Sequence, residues 1–192
     1  MVADPKSTLV DYLTNAREAM LLKLDGLDEY DVRRPMTPTG TNLLGMVKHL
    51  TGTELGYFGD TFGRPGGMSQ LWEADDVDPE ADMWAAADET REEIVGHYRA
   101  AIAHAAETIA LHDLDAVGQV PWWPAGRREV TLHQVLVHMV AETCRHAGHA
   151  DVLRESLDGA VGRFRHDEGM PDVDWPEHVA RVEQAARSAA GR

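Results

Sequence analysis

His138-Met-Val-Ala-Glu142-Thr-Cys-Arg145-His146-Ala-Gly-His149-Ala-Asp151 is the stretch on which the fold turns. It reads as helix, and it places three histidines and two carboxylates within fourteen residues. Residues three and four apart on a helix share a face. At about 100° per residue, His138, His146 and His149 project within about 40° of Glu142. Arg145 lies about 60° away, Cys144 points to the opposite side, and Asp151 falls opposite Glu142. Glu142 and His146, one turn apart, could hold one divalent metal ion. His138 and His149 are about 16 Å apart along the axis, too far for both to share it. A third ligand must come from elsewhere in the chain.

The rest of the chain is patterned as helix around this segment. Asp4-Pro5 suits an N-cap followed by proline at the first helical position. Leu9, Leu13, Ala16, Met20, Leu24 and Leu27 then recur at helical spacing, with Gly26 near the end. A second helix is expected from Thr41-Asn42 through Leu43, Val47, Leu50, Glu54 and Phe58 to Gly63. A third is expected over Ala85 to His112, with an apolar stripe of Ile94, Tyr98, Ile102, Ala105 and Ile109. Thr131 and Gln134 form a possible capping box for the fourth, which carries the histidines and stops near Gly159. Trp175-Pro176 opens a final helix rich in alanine and polar residues.

Between the second and third helices, Met68 to Asp82 is acidic and turn-rich, with Trp72 as its expected anchor. Val120-Pro-Trp-Trp-Pro-Ala-Gly126 is a rigid loop carrying Trp122 and Trp123. Strand signals are sparse, and no internal repeat stands out. The pattern predicts an all-α protein: an antiparallel four-helix bundle with a long connection between helices two and three. Residues 1–162 are expected to form the domain, and 163–192 a short C-terminal extension.

Composition narrows the function. The chain has 192 residues, 43% of them hydrophobic, enough for a sizeable core. A net charge of −15 argues against nucleic acid as a partner. No apolar run approaches membrane-spanning length, and the N-terminus has no signal-peptide pattern. The single cysteine, Cys144, excludes an internal disulfide and fits a reducing, cytoplasmic setting. Cys144 is expected to be a buried small residue.

His49 lies in Met46-Val-Lys-His49-Leu-Thr-Gly-Thr-Glu54-Leu-Gly-Tyr57-Phe58, between Val47 and Leu50. A bundle can bring an inward histidine from one helix against a Glu-x-x-x-His pair on another. His49, Glu142 and His146 would then supply three ligands and leave one position open on tetrahedral zinc, the pattern of a catalytic site. By itself His49 reads as a core histidine. A glutamate inside a bundle is costly without a compensating charge, which favours a metal.

From about Leu9 to Gly159 the chain resembles the DinB-like superfamily of small helical metalloproteins. The resemblance is carried by Val47-Lys48-His49-Leu50 with Glu54 and Phe58, by Val120-Pro-Trp-Trp-Pro124, and by the string from His138 to Glu155. Many members use a histidine from helix two and a His-x-x-x-His pair from a later helix. Here Glu142 replaces the first of that pair, as in the mycothiol-dependent maleylpyruvate isomerases and the actinobacterial branch that includes mycothiol S-transferases. The resemblance implies a DinB-like bundle and a metal-dependent transferase that conjugates a low-molecular-weight thiol, mycothiol, to small electrophiles in detoxification. It also implies zinc held by His49, Glu142 and His146, and, by analogy only, a homodimer.

The remaining residues carry open alternatives. Arg145 could orient a ligand or form a surface salt bridge. His149 is the substitute ligand should Glu142 face solvent, and His138 reads as a supporting or helix-end residue. Trp122 and Trp123 could plug the bundle end or line a substrate pocket. Glu54 and Tyr57 read as packing or hydrogen-bonding groups beside the site. Two imidazoles and a carboxylate suit zinc but also accommodate nickel, iron or manganese. Competing activities are thiol-dependent isomerisation and metal-dependent hydrolysis. Isomerisation ranks lower because only about 33 residues follow Gly159, short for a further domain. The non-enzyme alternative is a stress-related metal-binding bundle.

Overall fold

Helix α1 (Pro5–Leu22) begins as its sequence dictates: the Asp4 carboxylate accepts from the Ser7 amide at 3.0 Å, and Pro5 occupies a position whose amide would be unpaired in any case. The computed structural model of the protein describes residues 4–67, 78, 80–162 and 170–191. In chain order there follow α2 (Glu29–Arg33), α3 (Leu43–Glu54), α4 (Arg91–Leu111), strands β1 (Val117–Gln119) and β2 (Glu129–Thr131), α5 (Leu132–Asp158) and α6 (Trp175–Ala189). The protein is mainly helical. α1 packs on α5, α3 packs on both α4 and α5, and no helix among the described residues is long and apolar enough to cross a membrane.

Several elements differ from the sequence expectation. α1 stops at Leu22 rather than near Gly26; Leu24 is nevertheless buried, reached through turns that end at Gly26, whose φ is +74°. The short α2 was unsignalled. The second long helix does not run as α-helix to Gly63. It widens into a π-helical turn over Leu55–Gly59 and tightens into a 3₁₀ turn over Asp60–Phe62. α4 starts at Arg91, not Ala85, because Thr90 and Glu93 form a reciprocal capping box just before it. Thr131 caps α5 by accepting from the Gln134 amide at 3.2 Å. The tryptophan loop is the head of a two-stranded antiparallel hairpin, with Val117 opposite Thr131 and Gly118 opposite Val130. Trp72 lies outside the described residues.

The core comprises two apolar clusters. One gathers Met20, Val32, Leu43, Met46, Leu50, Ile94 and Leu153; the other gathers Leu13, Phe58, Ile109, Val120, Leu132, Leu136 and Met139. Along α1, Arg17 falls between Leu13 of one cluster and Met20 of the other. Along α3 and its extension, Glu54 falls between Leu50 and Phe58. Arg17 donates Nε and Nη2 to the two Glu54 carboxylate oxygens at 2.7 and 2.6 Å, and both side chains are buried. The Phe58 ring lies 5.9 Å from the guanidinium carbon. A bidentate pair with an aromatic neighbour is the arrangement in which a buried charge is tolerated. Glu54 is therefore a core residue, not a group lining a site.

Candidate metal centre

α3 and α5 meet at His49, Glu142 and His146. His49 reaches across from α3. Glu142 and His146, at i and i+4, present the same face of α5. Their ligating atoms all lie within 4.8 Å of one another. His146 Nε2 is 3.0 Å and His49 Nε2 3.6 Å from the same oxygen, Glu142 Oε1, and the two imidazole centroids are 4.9 Å apart. Neighbouring ligands on a tetrahedral zinc, with bonds of about 2.0–2.2 Å, stand about 3.4 Å apart. Two imidazoles and a carboxylate gathered this closely form a group that could hold a metal ion.

Electrostatics at the three residues follow from burial and mutual proximity. Burial opposes charge on His49, but Asp82 and Glu142 outweigh it and hold the imidazole above its ordinary range. Burial and the nearby His49 push His146 below it. Burial works against the Glu142 carboxylate, yet hydrogen bonding and charge from His146 and His49 hold its pKa below the usual value. Asp82 is lowered chiefly by its hydrogen bond with His49, at 2.7 Å between Oδ2 and Nδ1. Asp82 was not singled out in the sequence: it is one acid among several in a turn-rich connection.

A cavity of about 420 Å³ opens onto this cluster, lined by His49, Gly52, Gly56, Tyr57, Trp122 and His138 among others. His49, Gly52, Gly56 and Tyr57 follow helical spacing along α3 and into the π turn, a local widening that recurs at functional sites. A Cβ on Gly56 would come within 2.7 Å of the Trp122 ring, so a larger residue there would make the indole shift. A family model described as Mycothiol-S-transferase matches residues 8–159. The chain belongs to the mycothiol S-transferase family. No curated protein matches the chain significantly.

Family membership implies mycothiol S-transferase activity, and the other residues marked in the sequence sort by distance from the cavity. Trp122 lines it, with its centroid 5.1 Å from that of Tyr57, and stays half exposed. Trp123 turns inward and donates Nε1–H to Tyr57 Oη at 3.2 Å. His138 packs at a tilt against Tyr57, with ring centroids 4.5 Å apart, and meets Trp123 edge-on at 5.8 Å, so it belongs to the aromatic wall rather than to the ligand cluster. His149 is exposed on α5, with its ring centroid 6.0 Å from that of His146, and Arg145 is also exposed. Asp151 pairs with Lys23 at 2.6 Å, linking α5 to the end of α1. Cys144 is exposed, against the expectation of burial; the buried stripe of α5 runs through Thr143, Ala147 and Ala150, and Cys144 sits outside it.

Proposed function

We propose that this mycothiol S-transferase family member is metal-dependent, with His49 and His146 through Nε2 and Glu142 through its carboxylate as the protein ligands of zinc. The observation that carries this reading is the convergence of two imidazoles and one carboxylate on one small volume, with His49 and Glu142 also lining a cavity. When bound, the metal would supply the Lewis acidity that keeps the mycothiol sulfur as thiolate near neutral pH. Three protein ligands leave a position for that sulfur.

The chain's own residues would do the rest. Glu142 offsets part of the metal's charge and is shared by both histidines. Tyr57, Trp122 and His138 form a wall that presents aromatic faces to the cavity, suited to hold the carbon skeleton of a thiol or electrophile by apolar contact. Orientation of the sulfur against an electrophilic carbon is the main catalytic contribution expected of such a wall. Transfer would release the thiol proton to solvent and form a carbon–sulfur bond as the electrophile's leaving group departs with its bonding pair or, at an activated double bond, as the neighbouring carbon takes up a proton from solvent.

We further read the four long helices α1, α3, α4 and α5 as an antiparallel DinB-like bundle. In this reading residues 1–162 form the metal-binding domain and 163–192 an extension; among the described residues, α6 buries none of its side chains. A conjugation screen of zinc-loaded protein with mycothiol, bacillithiol and glutathione, each against one aryl halide, tests the function. Turnover with mycothiol well above the other two is expected. Ester or amide hydrolysis that needs the metal but no thiol would replace this reading with a hydrolase.

A further inference from the structure

The residues from Asp82 to Glu89, which lead into α4, are tied to α3 and α2 beside His49. Asn42, the cap of α3, donates Nδ2–H to the Met83 carbonyl at 3.2 Å while its Oδ1 accepts from the Gly45 amide at 2.8 Å. A Cβ on Gly45 would overlap the same Met83 carbonyl, so this close approach requires glycine. Lys48 donates to the Trp84 carbonyl at 3.1 Å and to Glu89 at 2.8 Å. Arg33 of α2 donates to the carbonyls of Ala86 and Glu89 at 3.2 and 2.9 Å. The segment is thereby fixed against α3, and the residue it delivers to the cluster is Asp82, whose Oδ2 lies 2.7 Å from His49 Nδ1.

We propose that Asp82 is the positioning residue for His49, accepting from Nδ1–H so that the neutral ring turns its Nε2 lone pair toward Glu142 and His146. The clamped segment makes this contact a built feature of the site. The inference rests on the metal reading above. Two physical reasons support it. A free imidazole flips and exchanges its two tautomers, and only the one protonated at Nδ1 leaves Nε2 able to bind. A carboxylate behind the ring also raises the basicity of the ligating nitrogen, and losing such a partner typically weakens metal binding by about 10–100-fold. His146 lacks this support: its Nδ1 is buried without a hydrogen-bond partner among the described residues. The burden of holding one ring in place therefore falls on Asp82.

The test measures zinc affinity by competition with a chromogenic chelator, for the full chain and for Asp82→Ala and Asp82→Asn. Circular dichroism establishes that each variant is folded. Asp82→Ala is expected to bind zinc about 10–100-fold more weakly. Asp82→Asn, whose Oδ1 still accepts from Nδ1–H, is expected to recover most of that loss. Long-range ¹H–¹⁵N spectra of the metal-free wild type provide a readout that needs no variant. Neutral His49 should carry its proton on Nδ1, and in Asp82→Ala the Nε2–H form should appear. Wild type with His49 protonated at Nε2, or Asp82→Ala binding zinc as tightly as wild type, overturns the proposal. A wild type that binds no stoichiometric metal overturns the metal reading instead, and the tautomer spectra then still report on Asp82 alone.

Discussion

Replacing Glu54 with alanine is expected to be among the most damaging single changes in this protein, without touching the metal cluster. The Glu54 side chain is fully buried and that of Arg17 is 6% exposed, and the pair is held by two hydrogen bonds. Burial raises the Glu54 carboxyl above its ordinary range, and the charge and hydrogen bonds of Arg17 oppose that shift. Removing the carboxylate leaves an arginine buried against Phe58 with no counter-charge. Breaking a buried pair in this way costs about 3–5 kcal/mol. For a chain of this size each kcal/mol moves the melting temperature by about 2–4 °C, so a drop of roughly 6–20 °C is expected. Thermal and urea denaturation of Glu54→Ala, and of the cycle Glu54→Met, Arg17→Met and Arg17→Met/Glu54→Met, would measure it. The double variant should recover most of the loss, because both charges are gone and the apolar clusters can close over the gap. Zinc content of Glu54→Ala well below its melting temperature should match wild type. A cost below about 1 kcal/mol, the worth of an exposed pair, would refute the argument, as would a double variant as unstable as the sum of the singles.

Glu142→Gln should fold normally but lose zinc by more than the roughly 10–100-fold expected for an outer partner, because an anionic ligand itself is removed; isothermal titration would show it. Trp122→Ala should leave zinc content unchanged and raise KM for the thiol or electrophile by roughly 2- to 12-fold, from the loss of about 0.5–1.5 kcal/mol of aromatic contact. An unchanged KM would take Trp122 out of the binding wall. Thr90→Ala removes the cap and half of the reciprocal box at the start of α4. It should cost about 0.5–2 kcal/mol in urea denaturation, with no effect on metal affinity.

The juxtaposition of His49, Glu142 and His146 was legible because helical direction is encoded in spacing. Glu142 and His146 share a face by arithmetic, and His49 is the histidine of the second helix. Counting histidines alone would have pointed to His138 and His149, which the structure places on the aromatic wall and the surface. Partners that depend on long-range closure were not legible. Glu54 shows no sign in the sequence of its contact with Arg17, 37 positions earlier. Asp82 looks like any other acid in its neighbourhood, and only the clamp formed by Asn42, Gly45 and Lys48 distinguishes it. The strands β1 and β2 are three residues each, too short to display alternation. The π turn at Leu55–Gly59 preserves an apolar pattern close to that of an α-helix, so it too was read as continuous helix.

A metal at the α3–α5 junction is expected to be required for thiol transfer. The most direct test is to purify the chain without a histidine tag, strip it with chelator, and titrate zinc back while following mycothiol conjugation and bound metal together. Activity should vanish on stripping and return in proportion to zinc, reaching its plateau at one ion per chain. Full conjugation activity in protein verified to be metal-free would contradict the account.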